Sequence, residues 1–329
     1  MTEIVLAGDI GGTKTNLALY EIAGDGPMTT RREASFPSQE YDSLEDVVRA
    51  FLQDDRPTIA AAAFGIAGPV DGETVTTTNL PWRVEARTLR EVIDTPHVRL
   101  MNDLEATAFG ALFLPGDQLQ TVNAGRERST HRAVIAAGTG LGQGFLFWDG
   151  RQHVPVATEG GHVDFAPRTQ IEFDLLTFLQ QELDRVSYER VLSGPGLFNI
   201  FRFLTEKQGR PVAPGIRERL ATEDPSAVVG EAGITGHCDT CVAAVDLFID
   251  LYGTQASNLV LTTMALGGLY IGGGIVTKML PRFIDGTFMR SFTAKGRYAE
   301  MMRAVPVWII LDPKTARLGA AEAARALAA

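Results

Sequence analysis

Two short stretches of the chain set glycine backbone beside polar side chains in a way that suits an anion. In Asp9-Ile10-Gly11-Gly12-Thr13-Lys14, the N–H groups of Gly11 and Gly12 can approach phosphate oxygens, and Thr13 and Lys14 add donors. Asp9 offers a hard oxygen of the kind Mg²⁺ takes through a bridging water. Gly138-Thr139-Gly140-Leu141-Gly142 repeats the pattern in the second half of the chain. One such bend is explained equally well by a hairpin turn, where Gly-Gly is common. Two in one chain point to a nucleotide clamp. A third cluster, Gly272-Gly273-Gly274, could leave bare backbone against a flat adenine or a ribose, though alone it reads as a turn into a helix. None of these is a Walker A loop, because no Gly-Lys-Ser/Thr follows a spaced glycine. Strand rather than helix follows the first bend, which excludes the Rossmann fingerprint.

The candidate acids lie elsewhere. Asn102-Asp103 falls between a strand and a helix. Either residue is a favoured helix cap, and capping is the simpler reading. The alternative makes Asp103 a carboxylate at the C-terminal end of a strand, where α/β folds place ligands. Glu159-Gly160-Gly161-His162 sets an acid and an imidazole around two glycines, off any helix, with no evident packing role. That favours a polar ligand. Glu189 occupies a helical position and by itself reads as a solvated surface acid. His237, Cys238 and Cys241 are one ligand short of a structural zinc site, so the two cysteines are expected as reduced thiols. No Gly-x-Ser-x-Gly or His-Glu-x-x-His occurs.

The elements that must position these residues alternate. Residues 4–8 form a buried-strand pattern, turn at Gly11-Gly12, and return through Leu17 and Leu19. The apolar spacing of Leu44, Val47, Val48, Phe51 and Leu52 predicts a helix over 41–54. A strand over 58–66, a helix over 86–93, a strand over 98–101 and a helix through Leu112 complete an α/β pattern. The second half has strands at 133–137, 144–148, 269–271 and 305–311, and helices over 171–186, 242–264 and 318–329. Residues 209–221 and 222–236, interrupted by Pro and Gly, read as a surface excursion with short helices. The strand–bend–strand unit occurs twice, which suggests a duplicated fold with a cleft between lobes.

Length and composition agree with two lobes. The 329 residues exceed what a single core of roughly 250–300 residues accommodates. Hydrophobic residues at 45% and charged residues at 21% are those of a globular protein, which excludes a disordered chain. Thirty basic against 40 acidic residues give a net charge of −10, and no basic stripe relieves it, so no nucleic-acid partner is expected. Residues 251–277 are free of charge, but six glycines and several polar residues make them a core helix and strand, and no membrane association is expected. The apolar run 4–7 lacks a basic flank and is too short for a signal peptide, so the expected compartment is the reducing cytoplasm.

Taken in order, these motifs resemble the bacterial glucokinase family of the actin-like ATPase and hexokinase superfamily. The resemblance rests on Gly8-Asp9-Ile10-Gly11-Gly12-Thr13, Gly65-Ile66-Ala67-Gly68-Pro69-Val70, Thr78-Asn79-Leu80-Pro81-Trp82, Asn102-Asp103, Gly138-Thr139-Gly140-Leu141-Gly142 and Gly272-Gly273-Gly274-Ile275-Val276. Its most specific parts are the runs 159–167 and 189–196. It implies an α/β, two-lobed actin-like ATPase (ribonuclease H-like) fold, with a small domain of residues 1–113 plus 312–329 and a large domain of 114–311. It further implies an enzyme that uses ATP to phosphorylate the 6-hydroxyl of D-glucose. Asn102, Asp103, Glu159, His162 and Glu189 would hold the sugar, with Asp103 as general base. Asp9, Gly11, Gly12, Thr13, Lys14, Gly138, Thr139, Gly140, Gly273 and Gly274 would hold ATP, and Asp9 would reach Mg²⁺ through water. Family members are commonly homodimers. Lys14 stands where some members have Asn. The zinc-binding cysteine cluster and helix-turn-helix of related repressors are not seen, which speaks against a transcription regulator. The rival readings are a kinase for another hexose or an amino sugar, and a non-catalytic sugar sensor.

Overall fold

In the opening strand Val5 and Ala7 face one core while Leu6 and Ile10 face another, so the run is apolar because both faces are covered. The computed structural model describes residues 2–24 and 26–328, which divide into two units. The first comprises residues up to Gln118, 152–157 and the segment from Asp312; the second comprises Leu119–Arg151 and Thr158–Leu311.

The first unit contains β1 (Glu3–Ile10), β2 (Lys14–Ile22), β3 (Thr29–Pro37) and β4 (Ala61–Ile66). A small antiparallel sheet of β5 (Val70–Asp71), β6 (Thr74–Thr76) and β7 (Arg83–Glu85) follows, then β8 (Val98–Asn102). The main sheet runs β3-β2-β1-β4-β8, with β1, β4 and β8 parallel and β2 and β3 antiparallel. Helices α1 (Leu44–Leu52) and α2 (Ala86–Ile93) cover the Leu6–Ile10–Phe64 face. Ser43 caps α1, its hydroxyl accepting from the Asp46 amide at 3.2 Å. The other face is lined by Ala7, Ala18, Ala61 and Ala63, small enough to seat α3 (Asp103–Ala111) and the C-terminal helix (Thr315–Ala328).

Those last two helices touch backbone to backbone. A Cβ on Gly110 would lie 2.1 Å from the Thr315 carbonyl oxygen, and one on Gly319 would lie 1.9 Å from that of Ala106. Because α3 begins at Asp103, this crossing anchors the helix that carries the proposed base.

The second unit repeats the plan. It contains β9 (Leu119–Asn123), β10 (Arg132–Ala137), β11 (Leu141–Trp148), β12 (His153–Thr158, of which residues up to 157 group with the first unit), β13 (Gly268–Gly272) and β14 (Val307–Ile310). The order β11-β10-β13-β14-β9 again places an antiparallel hairpin, β10 with β11, beside parallel neighbours β13 and β14. Its helices are α4 (Gln170–Leu179), α5 (Gly194–Arg202), α6 (Pro214–Leu220), α7 (Pro225–Thr235), α8 (Asp239–Thr263), α9 (Gly274–Lys278), α10 (Leu280–Ile284), α11 (Thr287–Phe292) and α12 (Ala299–Arg303). The central α8 buries Phe248, Ile249 and Tyr252 in the same core as Ile135, Leu269 and Ile271 of the sheet. Among the described residues no single helix is long and apolar enough to cross a membrane; α7 and α8 pass that test only jointly, across a 98° bend. The apolar side chains that make them pass are largely buried in this core.

Several boundaries differ from the sequence expectation. The helix expected over 171–186 ends at Leu179, beyond which Glu182 and Asp184 turn to solvent while Leu183 and Val186 return to the core. The stretch 222–236 is no surface excursion: its helix α7 buries Val228, Val229 and Ala232, and Gly233 lets it press on the Cys241 carbonyl of α8. The strand expected from residue 58 starts at Ala61, and the last helix starts at Thr315, with its final expected residue, 329, outside the described residues.

Gly319→Ala should lower the unfolding midpoint by about 2–10 °C, the consequence of overpacking by roughly 1–3 kcal/mol. A thermal melt followed by circular dichroism checks this; an unchanged midpoint would mean that the two helices can move apart at no cost.

Candidate functional site

In the first unit the candidates gather at one edge of the sheet. Register pairs Asp9 with Gly65 and Ile66 with Asn102, so the first bend and the Asn102-Asp103 pair both emerge from the carboxyl ends of parallel strands. At ~4.8 Å per strand, Asp9 and Asn102 are about two strand spacings apart.

The bend itself is closed by the Gly11 N–H, which donates to the Lys14 carbonyl at 2.9 Å. Ser38 staples it from below. Its hydroxyl donates to the Gly11 carbonyl at 2.8 Å, and its N–H donates to the Thr13 carbonyl at 3.0 Å. Thr15 and Ser38, both fully buried, share a further bond of 3.0 Å. A Cβ on Gly12 would meet that of Asn79 at 2.6 Å. Thr13 and Lys14 point to solvent. Burial pushes the Asp9 carboxyl above its ordinary value; the Asn16 amide, donating to it at 3.4 Å, and the charge of Arg317 pull the other way.

Asn102 is the cap that its position suggests. Its Oδ1 accepts from the Leu104 N–H at 2.9 Å, the Glu105 carboxylate returns to the Asn102 N–H at 3.3 Å, and its Nδ2 donates to the Gly68 carbonyl at 3.1 Å. Asp103 is therefore the first residue of α3, half-buried, with Oδ1 accepting from the Leu104 N–H at 2.9 Å.

In the second unit the candidates converge on Leu141. Glu189 is half-buried in a 3₁₀ turn, and its Oε2 accepts from the Leu141 N–H at 3.0 Å; this corrects its reading as a solvated surface acid. On the other side, a Cβ on Gly161 would lie 1.8 Å from the Leu141 carbonyl oxygen. That close approach fixes the Glu159–His162 turn, which is itself a short 3₁₀ turn rather than open loop. Both of its side chains are exposed, with His162 Nε2 4.0 Å from Glu159 Oε2. The bend is closed by the Gly138 N–H donating to the Gly140 carbonyl at 2.8 Å. Gly273 has φ +94, and a Cβ there would strike the Ala137 carbonyl oxygen at 2.2 Å, so it sits beside the second bend. Gly274 opens α9.

Ser38, Asn16 and Arg317 support these groups from outside the motifs, while Asn79 and Ser193 lie within motif runs that assign them no role. For Arg317 the sequence signal is an arginine close to Gly319, Ala320 and Ala321 in the last helix, and the structure shows it buried. Among the described residues no cluster of three or more His, Cys, Asp or Glu is arranged to hold a metal ion. Cys238 and Cys241 are free thiols, buried, with Cys238 capping α8 through its sulfur.

Two sheets built on the same plan, each opening at a glycine bend, define an α/β protein of the actin-like ATPase fold. Within that class the chain belongs to the glucokinase family, whose model matches residues 6–327. It is 39% identical over 334 aligned residues to a glucokinase of Trichormus variabilis, covering 97% of this chain and 98% of that one. Among solved structures, a glucokinase from an Antarctic psychrotroph superposes with a TM-score of 0.86 at 28% identity, covering 99% of this chain and all (100%) of the other. A glucokinase of the ROK family from Streptomyces griseus, solved with glucose and AMPPNP, shares the fold with a TM-score of 0.63 at 20% identity, covering 98% and 99%.

Asp9→Asn should stabilise the fold at neutral pH, since a carboxylate whose folded pKa is raised costs stability once pH rises through that pKa. The gain should shrink as pH falls toward the ordinary Asp value of about 4 and vanish below it, where the carboxyl becomes protonated in both states. Melting curves of both proteins across that range check the sign; a variant less stable at neutral pH would mean that Asp9 is satisfied where it lies.

Proposed function

We propose that this protein transfers the γ-phosphoryl group of ATP to the 6-hydroxyl of D-glucose. Membership of the glucokinase family supports the sugar. The observation that carries the nucleotide is a pair of glycines that the fold does not itself require. Around Gly138 and Gly274 nothing lies within 4 Å of where a Cβ would be, and neither has a positive φ. The neighbouring Gly273, by contrast, is glycine for a steric reason internal to the protein, since a Cβ there would strike the Ala137 backbone. Bare backbone kept open at the carboxyl ends of β10 and β13 suits phosphate and ribose.

The roles follow from residue chemistry. Asp103 orients the 6-hydroxyl and accepts its proton late, as a loose phosphoryl-transfer transition state requires. The Leu104 N–H holds one of its oxygens in place. Asn102 and Asp103 serve the 4- and 6-hydroxyls; Glu159, His162 and Glu189 serve those nearer the anomeric carbon. Gly11, Gly12, Thr13 and Lys14 at the first bend, and Gly138, Thr139 and Gly140 at the second, take phosphate oxygens, with Gly273 and Gly274 against the nucleoside. Asp9 fits a Mg²⁺ site of the kind that keeps its waters and takes a single carboxylate, and burial makes an added positive charge welcome there. Such an ion, held by Asp9 through water, would offset phosphate charge. Lys14, exposed on the bend, adds to that offset. We further assign the enzyme to the cytoplasm, in keeping with two free thiols, and expect a homodimer.

Asp103→Asn should cut turnover by ~10²–10⁴-fold while glucose binding persists, because the amide keeps the shape but cannot accept the proton. An assay coupling ADP release, with calorimetry for the sugar, checks both. Turnover at the wild-type rate would reduce Asp103 to part of a helix start.

A further inference from the structure

Glu189 is placed to do two things at once. Its Oε2 accepts from the Leu141 N–H at 3.0 Å, at the base of the second glycine bend. A Cβ on Gly140 would come within 2.6 Å of the same oxygen, so the carboxylate lies directly against the bend. The contact is not isolated. The Glu189 carbonyl accepts from the Ser193 hydroxyl at 2.7 Å, and that hydroxyl caps α5 by accepting from the Gly196 N–H at 3.0 Å. One residue on, the Gly194 N–H donates to the Gly138 carbonyl at 2.8 Å. The segment from Glu189 to Gly194 thus grips the bend at both ends, at Gly138 and at Leu141. Val191 and Leu192, fully buried between the two grips, prevent the segment from drifting.

We propose that Glu189 is a positioning residue for the second bend, so that recognition of the sugar and retention of the nucleotide phosphate are coupled through one carboxylate. The proposal rests on the kinase reading above and adds to it. A hydroxyl bonded to one carboxylate oxygen restrains the other, and the restrained oxygen holds the Leu141 amide in place. The bend is then set when sugar is bound and looser when it is not. Coupling of this kind is reciprocal: nucleotide must tighten sugar by the same factor as sugar tightens nucleotide, typically 5–150-fold. It has a use in a phosphotransferase, since a bend held more firmly in the presence of sugar holds back transfer to water.

Three substitutions separate positioning from sugar contact. Glu189→Ala removes the acceptor for the Leu141 N–H. Glu189→Gln keeps one acceptor of the same length for the Leu141 N–H but loses the charge and turns the other acceptor oxygen into an NH2 donor. Gly140→Ala approaches from the other side: its methyl would displace the end of a flexible side chain, which the fold tolerates, and so move the carboxylate without deleting it. Calorimetric titration of AMPPNP with Mg²⁺, in the presence and absence of glucose, and of glucose alone, reads the effects.

In the absence of sugar, Glu189→Ala should bind AMPPNP about tenfold more weakly than wild type, the loss expected for one hydrogen bond to a charged group. Glu189→Gln should recover most of that affinity while still binding glucose poorly. Gly140→Ala should weaken glucose, although residue 140 belongs to the phosphate bend. In the wild type, glucose should tighten AMPPNP several-fold, and Glu189→Ala should abolish the tightening. Wild-type AMPPNP affinity in Glu189→Ala, at an unchanged melting temperature, would overturn the positioning role. So would glucose affinity unaltered by Gly140→Ala. If the wild-type protein itself binds no AMPPNP with or without glucose, the kinase reading fails first and the coupling with it.

Discussion

Leu141 is held from both sides, and the second unit's candidate groups depend on that hold. Glu189 takes its N–H, and Gly161 approaches its carbonyl so closely that no side chain could stand there. The strand end, the glycine bend and the segments around Gly161 and Glu189 are therefore not loops with independent freedom. They form one junction at the start of β11. The first unit reaches the same end with different parts. Ser38 ties Gly11 and Thr13 from beneath, and Asn102 ties the start of α3 to Gly68. In both units, backbone is pinned by hydrogen bonds so that the polar ends left over face outward. Preorganisation of this kind suits phosphoryl transfer, where the protein supplies position and charge rather than covalent help.

Pinning is balanced against stability at one point. Asp9 is pushed toward its protonated form by burial, yet Asn16 and Arg317 keep a polar environment around it. Arg317 is itself buried and bonds to Glu33 on β3, which also takes Lys314 at 2.8 Å. The C-terminal helix thereby contributes both packing, through Gly319, and charge to the neighbourhood of the first bend. A residue that is costly to the fold and placed at a strand end fits the usual pattern of groups kept for function.

Much of this was legible in the sequence. The strands β1, β4, β8, β10 and β13 announce themselves through apolar runs ended by glycine or by Asn-Asp, and helix α2 through the helical spacing of Ala86, Leu89 and Ile93. What escaped did so for physical reasons. Strand β3 carries Arg31, Arg32 and Glu33 and stands largely exposed at the sheet edge, so its pattern is that of solvent rather than core. The two-residue and three-residue strands β5 to β7 have too few positions for any period to show. The core helix α7 hides behind a flank of Pro, Asp and Glu, and its small apolar residues become a core only against α8. Glu189 reads as a surface acid because its partner, Leu141, is 48 positions away. Motif resemblance picked it out where local chemistry could not. Ser38 had neither kind of signal, being an isolated serine after a proline.

In the proposed kinase, four chargeable groups, Asp103, Glu159, His162 and Glu189, are committed to particular sugar hydroxyls. Groups of this kind are costly to leave unpaired once water is displaced, so a sugar with one hydroxyl turned aside should be rejected. The most direct measurement is kcat/KM for glucose, galactose, mannose and N-acetylglucosamine in one ADP-release assay. Glucose should exceed each of the others by well over tenfold, in the direction of the ~10⁴–10⁵ seen where a site is built around a substrate hydroxyl. Values within about tenfold of one another would contradict a glucose-committed site and point to a permissive hexose kinase whose acids remain solvated.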